Sequence, residues 1–157
     1  MQQEKIRKVK ITVSWILTAV CMAVIFWLSS RTSTESSMQS SAVLEWLTAV
    51  FGDGFFTTFI VRKGAHFLEF TGLCLLMNIS LYCTRGKYSP AFAVVLTSLY
   101  AATDEIHQLF VEGRACKISD WAIDTAGAAI GAAAFLLIAF AVTKIVGKRK
   151  NVDRGNN

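Results

Sequence analysis

The chain has 157 residues, 54% of them hydrophobic, and a single proline; its apolar residues fall in long blocks rather than in the short periodic patches of a soluble core. Its net charge of +5 is not arranged as a basic stripe interleaved with aromatics, so a nucleic-acid partner has little support. The four cysteines show no CxxC spacing and form neither a disulfide framework nor a zinc signature.

Four blocks approach the roughly 20 residues that span about 30 Å of hydrocarbon. They cover residues 11–28, 66–83, 91–110 and 121–142, and only the first and last are free of strong charge for most of their length. The first follows Lys5, Arg7, Lys8 and Lys10 and has the outline of a signal peptide. Its apolar part is long for that role and no A-x-A site follows Leu28-Ser29-Ser30, so a retained span is expected. Residues 31–41 read as a polar linker just outside the membrane. In residues 42–61, Val43, Trp46, Leu47 and Val50 recur at helical spacing before Gly52-Asp53-Gly54 breaks the pattern and Phe55, Phe56 and Phe59 follow. That is the signature of one or two short amphipathic helices lying in the outer interface.

The second span opens with Arg62-Lys63, which can snorkel outward and leave His66 and Glu69 about one and two turns deeper. Residues 84–89 make a short link, and Pro90 suits the first turn of the next helix. The third span ends in Asp104-Glu105-Ile106-His107-Gln108. The fourth starts with Asp120 and Asp124 and carries Gly127-x-x-x-Gly131, a spacing for close helix packing either within the bundle or in a homo-oligomer.

Orientation follows from the basic residues. Lys5, Arg7, Lys8 and Lys10, then Arg85 and Lys87, then Lys144, Lys148, Arg149, Lys150 and Arg154 make eleven of the sixteen Lys and Arg, all on one side of a four-span topology. The positive-inside rule makes that side cytoplasmic. The expected organisation is an all-α polytopic bundle in a lipid bilayer. It has a cytoplasmic basic N-terminus (1–10), a membrane domain of four transmembrane helices plus an interfacial segment (11–146), and a cytoplasmic basic tail (147–157).

Ionisable groups within such spans cost roughly 2.5–3.5 kcal/mol each on insertion scales, so a chain that keeps several is using them. In this orientation His66 and Glu69 (i, i+3), Asp104, His107 and Gln108 (i, i+3, i+4) and Asp120 and Asp124 (i, i+4) lie in the outer third of the membrane, each set on one helix face. Three polar faces at one depth are expected to surround an outward-facing cavity, with Arg114 above it and Arg62 and Lys63 at its edge. Glu105 lies off its helix's polar face and is expected toward the interface. Glu112 and Lys117 read as solvated loop residues, Trp46 and Trp121 as interface anchors, and Asn78 and Ser80 as interhelical hydrogen-bonders. Cys21, Cys74 and Cys83 sit within spans and Cys116 in an outside loop, as free thiols.

The residues leave four chemistries open. One is a buried polar network with a structural role only. A second is a divalent metal held by a subset of His66, Glu69, Asp104, His107, Asp120 and Asp124. A third is acid–base catalysis by Asp104, His107 and Asp124 on a lipid-linked envelope substrate, as in a hydrolase or transferase, with Arg114 clamping an anion. The fourth is a non-catalytic pocket for a polar headgroup or glycan.

Taken in order, Arg62-Lys63-x-x-His66-x-x-Glu69, Asp104-Glu105-x-His107-Gln108-x-Phe110, Gly113-Arg114 and Asp120-x-x-x-Asp124-x-x-Gly127-x-x-x-Gly131 resemble the VanZ-like family of small membrane proteins. The chain departs from that pattern at Phe70, where tyrosine is usual, and at Glu112, where proline is common; the first removes a hydroxyl from the expected site. The resemblance implies a bacterial cell-envelope protein. Its expected role is to bind or modulate a polar or anionic component, such as a lipid headgroup or peptidoglycan precursor, with an effect on sensitivity to the glycopeptide teicoplanin. It implies no particular reaction.

Overall fold

The computed structural model describes the backbone of residues 1–155 and the side chains of residues 1–147. The basic tail side chains Lys148, Arg149, Lys150 and Arg154 therefore lie outside the described residues. Five helices follow one another: α1 (Gln2–Ser29), α2 (Ser33–Phe51), α3 (Thr58–Arg85), α4 (Pro90–Gln108) and α5 (Ile118–Gly155). The fold is all-α, as expected, with no strand among the described residues.

Three of these helices are long and apolar enough to cross a membrane: α1, α3 and residues Ile118–Gly147 of α5. The 28 residues of α1 and of α3 reach about 42 Å each, more than the hydrocarbon needs. The fourth expected span, α4, does not meet that standard. It has 19 residues, and Asp104, Glu105 and His107 crowd its last turn.

The chain between α1 and α3 departs most from expectation. Residues 31–41 are not a linker, because Thr32 starts a helix there. Its hydroxyl accepts from the Glu35 N–H at 3.3 Å while the Glu35 carboxylate accepts from the Thr32 N–H at 2.9 Å, a reciprocal capping box. One 19-residue helix results in place of one or two short ones, and Gly52 ends it. Likewise α3 begins eight residues before the expected span, because Thr57 caps it by accepting from the Ile60 N–H at 3.2 Å. It stops at Gly86, whose left-handed φ of 68° suits a residue without Cβ. Pro90 occupies the first turn of α4, as predicted.

The hub is α3, which packs against each of the other four helices. Its contact with α5 is the most intimate, and the two glycines explain why. A Cβ on Gly127 would overlap the Phe67 carbonyl, and one on Gly131 the Thr71 carbonyl. Thr71 Oγ1 donates to the Gly127 carbonyl at 3.0 Å across that seam. The glycine face is thus occupied by α3 of the same chain, the within-bundle packing that the Gly127-x-x-x-Gly131 spacing allowed.

Side-chain pairs fix the helix directions. Trp15 donates to Thr84 and Thr18 meets Ser80, so α1 and α3 run antiparallel; Ser98 meets Thr125 while Glu105 meets the Lys117 N–H just before α5, so α4 and α5 do too. Ser80 is the interhelical partner it was expected to be, whereas the Asn78 amide donates within its own helix to the Cys74 carbonyl. All four cysteines are free: Cys74 is buried, Cys21 and Cys83 half-buried, Cys116 exposed.

Burial is inverted relative to a soluble protein. The interior holds small and polar side chains such as Ser14, Thr18, Thr97, Ala128 and Asp124. Large apolar ones, Val13, Leu17, Val24, Leu137 and Phe140 among them, point outward, as they do where the solvent is hydrocarbon.

Candidate functional site

At one end of the bundle, the last turns of α1 and α4 meet the first turns of α3 and α5. Asp104 Oδ2 accepts from Ser29 Oγ at 2.7 Å and from Gln108 Nε2 at 3.0 Å, and both Asp104 and Gln108 are buried. Lys63 on α3 forms an ion pair with Asp120 on α5. On α3 itself, His66 Nδ1 and Glu69 Oε2 stand 3.9 Å apart, beyond hydrogen-bond reach. Asp124 is the most enclosed, only 1% exposed, and neither of its carboxylate oxygens has a protein partner.

Two residues of α4 turn away from their expected directions. Glu105, expected toward the interface, is buried, and its Oε2 accepts from the Lys117 N–H at 2.8 Å, which ties the α4–α5 loop down. His107, expected beside Asp104 and Gln108, turns to α1 instead. Its ring lies 4.3 Å from that of Phe26, and its Nε2 is 3.0 Å from Ser30 Oγ. The cause is that α4 has protein on more than one side, so residues about 100° apart around it each find a neighbour.

Beside a pocket of about 110 Å³ lined by Ser37, Ser40, Thr58, Phe59 and Arg62, two larger cavities open at this end. The larger, about 460 Å³, lies between α2 and α3, with Leu28 of α1 and Phe56 also in its wall. The smaller, about 270 Å³, is polar; Arg62, Lys63, His66, Gln108, Arg114, Lys117 and Asp120 line it together with Ser33, Gly113 and Ala115. Arg62, His66 and Arg114 belong to both, and Glu69 lines the larger. Asp104, Glu105, His107 and Asp124 line neither. Of the three acid–base candidates, Asp104 and Asp124 are buried and His107 is half-buried against α1. No three or more His, Cys, Asp or Glu side chains converge as a metal site among the described residues. Of the candidate ligands, Asp104 and His107 face α1 and Asp120 faces α3.

The arginines are the informative pair. Arg114 sits in the loop before α5, its Nε donating to the Arg31 carbonyl at 2.9 Å. Burial, and next the neighbouring Arg62 charge, pull its guanidinium below the usual value. Among the described residues neither Arg62 nor Arg114 has a carboxylate within ion-pair distance, whereas nearby Lys63 is matched by Asp120. The loop that carries Arg114 is held by Gly113, packed against Ser33, and by the Ser33 N–H donating to the Glu112 carbonyl at 3.1 Å.

The chain matches the VanZ/LLP1 family over residues 14–139. It belongs to that family. Comparisons with curated proteins and with solved structures returned no match. The VanZ/LLP1 match takes in both cavities and every residue of the expected site. Phe70, the departure that removes a hydroxyl, is fully buried against Ile25, Leu73 and Ala101, so no cavity group is lost. Sequence reasoning missed the α2 contribution of Ser36, Gln39, Ser40, Val43 and Leu47 to the larger cavity. The signal was present in Thr32-x-x-Glu35, which marks the start of the helix and so aligns Ser36, Ser40, Val43 and Leu47 along one face.

Proposed function

We propose that this VanZ/LLP1 protein is a multi-pass cell-membrane protein that binds the anionic group of a cell-envelope component, a lipid headgroup or peptidoglycan precursor, and performs no chemistry on it. The observation that carries the reading is Arg62 with Arg114. Two guanidiniums without carboxylate partners line both cavities and present bidentate donors suited to a phosphate.

In this reading α4 is the fourth span, its outer stripe of Phe92, Val95, Leu99 and Ile106 exposed to lipid, and both termini are cytoplasmic. Support for one-sidedness comes from the far end of the bundle, where Arg7 and Lys10 of α1 gather near Gly86 at the α3–α4 turn. The arginine cavities then face outward, where occupancy alters surface properties that include teicoplanin sensitivity.

The test is complementation. Cells lacking the protein are given wild type, Arg62→Gln, Arg114→Gln or Asp104→Asn at matched levels, and envelope phenotypes including teicoplanin sensitivity are scored. The arginine variants are expected to fail and Asp104→Asn to complement; full complementation by both arginine variants would sink the proposal. Labelling of Glu112→Cys in intact cells, on a background free of the other cysteines, checks orientation, with labelling from outside expected.

A further inference from the structure

The larger cavity is far more apolar than an anion site needs. Its apolar walls include Val43 and Leu47 from α2 and Val61 from α3; Ser36, Gln39, Ser40 and Glu69 add polar groups, and Arg62, His66 and Arg114 are shared with the smaller cavity. At about 460 Å³ it is within the size range of small-molecule sites, which are mostly apolar with a few convergent polar groups. We infer that the α2–α3 groove takes the hydrocarbon chain of a phosphate-bearing amphiphile whose head lies between Arg62 and Arg114. This rests on the anion-binding reading above and adds the tail.

Charge complementarity fixes the order of the two parts. A free anion would leave the apolar chamber without a role, and a hydrocarbon without a charged head would leave two guanidiniums unmatched. Only a molecule with both parts satisfies the shared lining of the two cavities. Its entry route is lateral, because α2 packs chiefly on α3 and exposes Met38, Trp46 and Val50 on its other side.

Gly64 supplies the means to test this. It lies on the α3 wall of the groove, and a Cβ there meets no atom within 4 Å. A larger side chain at this position is expected to take up groove space, and losing a mid-helix glycine favours α3. Gly64→Leu is thus a plug that leaves both arginines in place.

The full chain in phosphatidylcholine nanodiscs is offered palmitoyl lysophosphatidic acid, glycerol 3-phosphate or monopalmitoylglycerol, and bound molecules are counted by native mass spectrometry. Wild type is expected to hold lysophosphatidic acid most tightly. Gly64→Leu is expected to weaken it by about tenfold or more while leaving glycerol 3-phosphate unchanged, and Arg62→Gln with Arg114→Gln to weaken both phosphates by about tenfold or more. A melting temperature at or above wild type shows that Gly64→Leu is folded; Leu47→Trp plugs the groove from α2 if it is not. Lysophosphatidic acid bound equally by wild type and plugged protein overturns the tail assignment and leaves the anion reading standing. Equal retention of monopalmitoylglycerol and lysophosphatidic acid, or arginine variants that hold glycerol 3-phosphate as wild type does, overturns the anion reading itself.

Discussion

Ser29 Oγ donates to Asp104 Oδ2 over 2.7 Å and so joins the last turn of α1 to the last turn of α4 inside the protein. Gln108 reinforces the same oxygen from one turn further along. Orphaning buried donors costs more than their bonds contribute.

The first prediction follows. Asp104→Ala removes one acceptor from two buried donors and lowers stability by about 1–3 kcal/mol, read as a fall in melting temperature of the detergent-purified protein. Asp104→Asn keeps an oxygen in place and costs less. Because Asp104 lines neither cavity, both variants retain the phosphate binding of wild type once folded. An Asp104→Asn protein of normal stability that binds no phosphate would return this residue to the site.

Lys63 and Asp120 give a prediction with opposite signs. Their ion pair joins α3 to α5 in the wall of the polar cavity, where the Lys63 charge is neutralised. Asp120→Asn unmasks a third cation beside Arg62 and Arg114 and tightens phosphate binding by about two- to fivefold. Lys63→Gln leaves an unmatched carboxylate facing the anion and weakens binding by a similar factor. Titration of both variants with glycerol 3-phosphate checks the order; a loss in both would mean that the pair only holds the cavity's shape.

How much of this was legible beforehand depended on which signal carried each element. Long apolar blocks are a strong signal, so α1 and α5 were evident; the block of α3 was weaker because charge interrupts it, and its start was displaced because the Thr57 cap lay outside the block. The start of α2 was hidden because Ser and Thr dominate residues 32–41, and composition outweighed the Thr32–Glu35 cap. Helical spacing grouped the polar residues at one end but could not tell which neighbour each would meet. Glu105 and His107 therefore exchanged roles: one is buried against the α4–α5 loop, the other stacks on Phe26. The apolar groove could not be read from any single segment, since its two walls come from helices joined through a turn.

The α2 cap has a pH signature. The Thr32 N–H and hydroxyl hold the Glu35 carboxyl below its ordinary value of 4.5. A carboxylate whose folded value is depressed contributes stability that is complete above 4.5 and disappears as pH falls through the lower folded value. Hydrogen exchange at residues 33–40 should therefore speed up only in that acid window, beyond the intrinsic pH trend, and Glu35→Gln should abolish the step. Thr32→Ala removes the reciprocal bond and raises exchange at every pH, a loss of about 1 kcal/mol. Acid loosening that survives in Glu35→Gln would have to come from another group.

Glycine substitutions separate the inner face of the bundle from its groove. A Cβ at Gly127 or Gly131 collides with backbone carbonyls of α3, which cannot swing aside as a side chain can. Gly131→Ala should then force α3 and α5 apart at a cost of about 1–3 kcal/mol, and Gly127→Ala should also strain the hydrogen bond from Thr71. Gly64→Ala, with open space around its Cβ, should leave the melting temperature level or raise it. Size-exclusion profiles should be the same for all three, because Gly127 and Gly131 face α3 of their own chain. If Gly131→Ala changed the oligomeric state and left stability untouched, the glycines would pack between copies and the α3–α5 seam described above would be wrong.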